Sequence, residues 1–192
     1  MIFRSKAPLR IGLAGGGTDV SPYCDLYGGA ILNTTISHAA YASIETLDAN
    51  KIIVETLDRK EKQEFSWDTI LPIDGELNLL KGVYNRIQKD YGIKKCGIRL
   101  STFVDAPAGS GLGTSSTLVV AILGAFIEML RLPFSQYDAA HYAYDIERNN
   151  LQLAGGRQDQ YAATFGGVNF MEFYKEDKVI VNPLRIRDEY MN

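Results

Sequence analysis

Three glycines fall within five residues, at Gly109, Gly111 and Gly113. A β-rich run, Gly97 to Val104, precedes them, and a long apolar run, Leu118 to Leu130, follows. That order commits the segment to a strand, a backbone loop and a helix in succession. Clustered glycines lose much conformational entropy on folding, so a chain that keeps three puts its backbone to use. At a helix N-terminus, free N–H groups and the helix dipole favour an anion, and glycine lets phosphate oxygens come close. Thr114, Ser115 and Ser116 fall in the first helical turn, within reach of a phosphate or a metal. The plainer alternative is a glycine turn ahead of a buried helix. The clustering and the hydroxyls together favour anion binding.

The loop departs from the common phosphate loops. No Lys stands between its last glycine and the hydroxyls, so it is not a Walker A loop. A dinucleotide fingerprint would need glycine at position 114, which is Thr. The chain contains no H-R-D, D-F-G or G-x-S-x-G, which excludes the protein-kinase set and the nucleophile elbow.

Two further segments carry polar residues next to glycines. Residues 7 to 19 read APLRIGLAGGGTD. Ile2 to Leu13 suits one or two short strands interrupted by Pro8, with Asp19 on the loop after Gly15, Gly16 and Gly17. Alone, Asp19 reads as a cap or turn residue. Residues 147 to 167 read ERNNLQLAGGRQDQYAATFGG. Here Asp159 falls near the start of a short helix, where a carboxylate is favoured by the dipole. Glu147 alone reads as a solvated helix residue.

Taken together, the three segments resemble the GHMP small-molecule kinases, the family of galactokinase, homoserine kinase and mevalonate kinase. Pro107, Gly111, Leu112, Gly113, Thr114 and Ser115 match the motif that wraps the ATP phosphates. The resemblance implies ATP binding by Pro107, Gly109, Ser110, Gly111, Leu112, Gly113, Thr114, Ser115 and Ser116. Arg10, Gly15, Thr18 and Asp19 match the first motif of the sugar members. It implies acceptor binding by Gly16, Gly17, Thr18 and Asp19. Gly16 and Gly17 stand where galactokinase carries Glu and His, which points away from galactose. The GGGTD version resembles the branch that phosphorylates heptose 7-phosphate and, more distantly, the fucose kinases. Asp159 falls on the catalytic Asp with Arg10 beside it, and Ser115 and Glu147 fall on the residues that hold Mg²⁺.

These residue types suit the chemistry. Phosphoryl transfer is mostly positioning and charge stabilisation. Mg²⁺ takes a few protein oxygens and the nucleotide phosphates. A carboxylate can accept the proton of an acceptor hydroxyl, and a guanidinium stabilises developing negative charge. The acceptor's own phosphate needs basic ligands, for which Arg157 and Lys6 are the candidates.

A net charge of −3 argues against non-specific nucleic-acid binding. The longest apolar runs fall short of a membrane span. The N-terminus has no apolar signal core, so the expected location is the cytoplasm. Cys24 and Cys96 form no metal or disulfide pattern, and His38 and His141 read as surface or packed residues.

Strand-like runs cover residues 2–6, 30–36, 41–47, 51–56, 97–104 and 167–173; helical runs cover 78–91, 115–130 and 135–148. Strands first and helices grouped later give an α+β class. The resemblance implies a mixed sheet of the ribosomal protein S5 domain 2 type, with residues 1–192 as an N-terminal ATP-binding domain. It also implies a small-molecule sugar phosphate as partner. Nothing after Gly167 reads as the third glycine-rich motif that the family carries in a second domain, so a missing C-terminal domain is also expected. Exposed apolar surface would otherwise invite self-association.

Overall fold

The computed structural model describes residues 1–67, 69–93, 96–107, 109–187 and 189, so Ala108 of the glycine loop lies outside the described residues. Among the described residues, seven strands form one mixed sheet. They are β1 (Ile2–Ala14), β2 (Gly29–Leu47), β3 (Lys51–Thr56), β4 (Glu61–Ser66), β5 (Gly97–Val104), β6 (Val168–Phe173) and β7 (Val179–Leu184). The order is β4-β3-β5-β2-β6-β7, with β1 on β2. Among the described residues, β3 and β5 run parallel and the other pairs are antiparallel.

β2 organises the sheet. β1 pairs with it from Ile2↔Glu45 to Ala14↔Leu32. β5 pairs with residues 40–47 of β2 and β6 with residues 29–34. One long strand therefore replaces the two expected between residues 30 and 47, because each half has its own partners. Pro8 does not interrupt β1. The register shifts between Pro8 and Arg10, and a bulge is where a sheet tolerates proline.

Among the described residues, five α-helices accompany the sheet: α1 (Tyr23–Tyr27), α2 (Asn78–Tyr91), α3 (Thr114–Leu130), α4 (Gln136–Asp145) and α5 (Gln158–Phe165). α3 packs on β1 and β2 and is buried along most of its length, from Ser116 to Leu123 and at Ala125 and Phe126. An apolar surface on all sides demands that position. In α2, Leu80, Val83, Tyr84 and Ile87 are buried at helical spacing. They join Ile44, Ile52, Val54, Ile98 and Leu100 of the sheet in the main core. A smaller core joins α4 and α5 to Ile31, Met171, Phe173 and Val181. A capping box between Ser135 and Asp138 starts α4.

The expected helix over 135–148 ends early. α4 stops at Asp145 and continues as a π-helical turn, Ile146–Asn150. Such turns are rare in helices and cluster at functional sites. His38 and His141 are exposed. Among the described residues, no helix is long and apolar enough to cross a membrane.

Candidate active site

Residues far apart in sequence meet where β1, the glycine loop and the start of α5 converge. Arg10 of β1 donates through Nε to Asp159 Oδ1 at 2.6 Å, and its Nη2 lies 2.6 Å from the same oxygen. Its Nη1 donates to the Gly111 carbonyl at 2.7 Å, and its backbone N–H donates to the Leu112 carbonyl at 3.2 Å. One strand residue thus fixes both the glycine loop and the first-turn carboxylate of α5. Among the described residues, every hydrogen bond that Asp159 accepts falls on Oδ1.

The loop's shape depends on glycine. Gly109, Gly111 and Gly113 have φ of +78°, +76° and +74°, the left-handed region that costs other residues energy. At Gly113 there is also a close approach: an added Cβ would lie 3.1 Å from Asp159 Cγ and Oδ2.

Asp19 is 6% exposed and accepts from the Gln158 backbone N–H through Oδ2 at 2.8 Å. Helix α5 has no side-chain cap of its own. Asp19 therefore satisfies one of its orphan donors from another element and places negative charge at the positive end of the helix. Gly156 makes room, since a Cβ there would lie 1.9 Å from Asp19 Oδ2.

A buried polar cluster lies behind the loop. Ser116 donates from Oγ to Glu147 Oε1 at 3.0 Å, and Gln160 donates from Nε2 to Ser116 Oγ at 3.1 Å and to Glu147 Oε2. Glu147 is 2% exposed. Burial pushes its carboxyl above the usual range, against the pull of Gln160, Arg148 and Ser116. Among the described residues, the buried Gln160 Oε1 and Thr117 Oγ1 atoms have no hydrogen-bond partner.

The structure brings Arg10, Asp19, Glu147, Asp159, Gly17 and the loop to one cleft of about 530 Å³. Ser115 is exposed and lines that cleft, whereas the hydroxyl bonded to Glu147 belongs to Ser116. On the other side of Thr114 and Ser115 lies a second hollow of about 540 Å³, lined by Leu79, Phe103, Val104, Pro107 and Leu118 together with the polar Thr56, Asp58, Arg59 and Asp105. Arg157 and Lys6 fall elsewhere. Arg157 is buried and donates to the Tyr174 carbonyl and to Asp177 Oδ1. Lys6 lies over the Tyr41 ring.

Sequence reasoning missed Gly156, Gln160 and Arg148. Arg148 lines the cleft and donates to the Leu153 and Gly156 carbonyls at 3.1 and 3.0 Å, which shapes the turn before α5. The π-helical turn that carries Glu147 and Arg148 has no signature in composition. Gln160 follows Asp159 directly, so a helix placed through Asp159 was the one available signal.

Residues 78–167 match the model for the N-terminal domain of GHMP kinases. The chain is 51% identical over 185 residues to D-glycero-alpha-D-manno-heptose 7-phosphate kinase of Campylobacter jejuni, covering 96% of this chain and 55% of that protein. It superposes on a D-glycero-D-manno-heptose 1-phosphate kinase from Bacteroides thetaiotaomicron with a TM-score of 0.92 at 55% identity, covering 97% of this chain and 61% of that one. For a putative sugar kinase from Campylobacter jejuni the TM-score is 0.86 at 50% identity, covering 98% and 57%. The chain thus spans less than two thirds of each of these proteins. The α+β class and mixed sheet expected from the sequence are those of this fold. The chain belongs to the GHMP kinase family and carries its N-terminal domain.

Proposed function

We propose that this chain, residues 1–192, is the ATP- and acceptor-binding half of a sugar kinase. In this reading it transfers the γ-phosphate of ATP to the anomeric hydroxyl of D-glycero-D-manno-heptose 7-phosphate. The observation that carries the reading is the Arg10–Asp159 pair, seated between the glycine loop and Asp19 in one cleft.

The loop from Pro107 to Ser116 holds the ATP phosphates through its N–H groups, hydroxyls and helix dipole. The adjoining hollow, with Leu79, Phe103, Val104 and Leu118 in its wall, takes the base. Gly16, Gly17, Thr18 and Asp19 form the acceptor side. Asp159 accepts the proton of the attacking hydroxyl at Oδ2, the oxygen not engaged by Arg10, while Arg10 fixes its orientation. The hydroxyl oxygen bonds to the γ-phosphorus, the β–γ bridge breaks, and ADP leaves. An anomeric hydroxyl is more acidic than other sugar hydroxyls, so an ordinary carboxylate suffices as base.

The buried oxygens fit a hard cation. Glu147 with the hydroxyls of Ser115 and Ser116 would hold Mg²⁺. Bound there, the ion would neutralise charge on the transferring phosphates. Use of ATP points to the cytoplasm.

The test is product analysis with the full-length protein, ATP and Mg²⁺. The expected product is the 1,7-bisphosphate from heptose 7-phosphate, seen as a new anomeric phosphate signal by ³¹P NMR. Transfer to another carbon, or no ADP above background, would contradict the substrate.

A further inference from the structure

Three carboxylates line the cleft, Asp19, Glu147 and Asp159, and two guanidinium groups, Arg10 and Arg148. Asp159 neutralises Arg10. Arg148 has no such partner. Among the described residues, the arginines that are not exposed are Arg10, Arg86, Arg99, Arg148 and Arg157. All but Arg148 pair with a carboxylate: Asp159, Asp90, Glu45 and Asp177 in turn. Glu147, the neighbour of Arg148 in the chain, is taken by Ser116 and Gln160.

The unpaired guanidinium is nonetheless fixed. Its Nη1 donates to the Leu153 carbonyl at 3.1 Å and its Nη2 to the Gly156 carbonyl at 3.0 Å. Its Cζ lies 5.6 Å from the centroid of the Tyr144 ring. Gly155 makes room for it, since a Cβ there would lie 2.6 Å from Nη2. Every one of these partners is neutral, so they set its orientation and leave its charge uncompensated. A half-buried cation without a counter-ion is costly to a fold. In the wall of a cleft, it suits an anion that arrives with a substrate. Each terminal nitrogen keeps a second N–H, and the planar fork matches phosphate oxygens two at a time.

We propose that Arg148 binds the phosphate of the acceptor and makes the site selective for a phosphorylated sugar. This rests on reading the acceptor as a sugar phosphate. Position decides between that phosphate and those of the nucleotide. The Gly156 whose carbonyl Arg148 holds packs against Asp19, on the acceptor side, whereas the nucleotide phosphates belong to the glycine loop. A phosphate beside Asp19, Glu147 and Asp159 also needs a cation to offset their repulsion. Arg10 is spent on Asp159, and neither Arg157 nor Lys6 lines the cleft.

The experiment compares full-length wild type with Arg148→Met and Arg148→Lys, using heptose 7-phosphate, the unphosphorylated heptose and ATP. Methionine removes the charge and the donors; lysine keeps the charge and loses the fork. For Arg148→Met, kcat/KM for heptose 7-phosphate should fall by about tenfold or more beyond any fall for the unphosphorylated sugar. Arg148→Lys should recover part of that selectivity, and KM for ATP should stay within about twofold in both. Equal falls for the two acceptors would reduce Arg148 to a support for its turn and overturn the proposal. A rise in ATP KM larger than the change for the acceptor would give the guanidinium to the nucleotide and overturn it too. If Arg148→Met does not fold, Arg148→Lys decides by the same comparison, and unfolding of both overturns the proposal. If wild type ignores heptose 7-phosphate, the substrate reading fails by itself. The role of Arg148 is then read from other sugar phosphates against their parent sugars. Selective loss of the phosphorylated ones supports it, and a wild type that uses no phosphorylated sugar overturns it.

Discussion

Replacing Gly156 by alanine tests how the acceptor side of the site is coupled to the base. The new Cβ would lie 1.9 Å from Asp19 Oδ2, 2.3 Å from Cγ and 2.7 Å from Oδ1, so the whole carboxylate must move. Moving it breaks the 2.8 Å bond to the Gln158 N–H and uncaps the helix that carries Asp159. Losing one hydrogen bond to a charged group costs about 1.5–3 kcal/mol. At about 2–4 °C per kcal/mol for a protein this size, melting should fall by roughly 3–12 °C. The assay is thermal and denaturant unfolding of Gly156→Ala, Asp19→Ala and the double variant, with acceptor KM measured for each. Alanine at 19 removes the clashing atoms, so Gly156→Ala should cost much less in that background than in wild type. An equal cost in both backgrounds would refute the coupling.

Other substitutions probe neighbouring parts. Gly113→Ala combines a left-handed φ with a 3.1 Å approach to Asp159. It should lose about 1–2 kcal/mol of stability in denaturant titration and turnover along with it. Ser116→Ala removes partners from both Glu147 and Gln160 in a buried cluster, and the expected loss is about 1–3 kcal/mol, read from the unfolding midpoint. A hydrogen bond from Arg86 holds the Asp90 carboxyl below its ordinary 3.8. A depressed carboxyl stabilises the fold above its unfolded value, and that stability is lost as pH falls through the folded value. Acid titration should therefore show the advantage of wild type over Asp90→Asn shrinking below that range.

Periodicity and composition expose much of the fold because they report burial. α2 keeps apolar residues at helical spacing, and α3 has no polar side to turn outward, so the residue pattern marks both as buried helices. β4 and β7 do not stand out in this way. β4 reads Glu-Lys-Gln-Glu-Phe-Ser at a sheet edge, where little is buried, and β7 carries Pro183 on the other edge. β2 looks like two strands because its middle, Ile36 to His38, is only partly buried or exposed. At the site, the glycine-bound motifs are legible from their residue types. Their mutual contacts are not. That Asp19 caps α5, that Arg10 grips Gly111, and that Ser116 rather than Ser115 bonds Glu147 are facts of long-range geometry. The π-helical turn at Ile146–Asn150, which carries Glu147 into the cluster, has no local code to read.

The direct measurement is ADP formation by the full-length protein with ATP, Mg²⁺ and heptose 7-phosphate, run beside its Asp159→Asn variant. A general base contributes about 10²–10⁴-fold, so the variant should lose that much in kcat while its melting temperature and ATP affinity stay near wild type. Turnover in Asp159→Asn equal to wild type would contradict the assignment of Asp159 as the base.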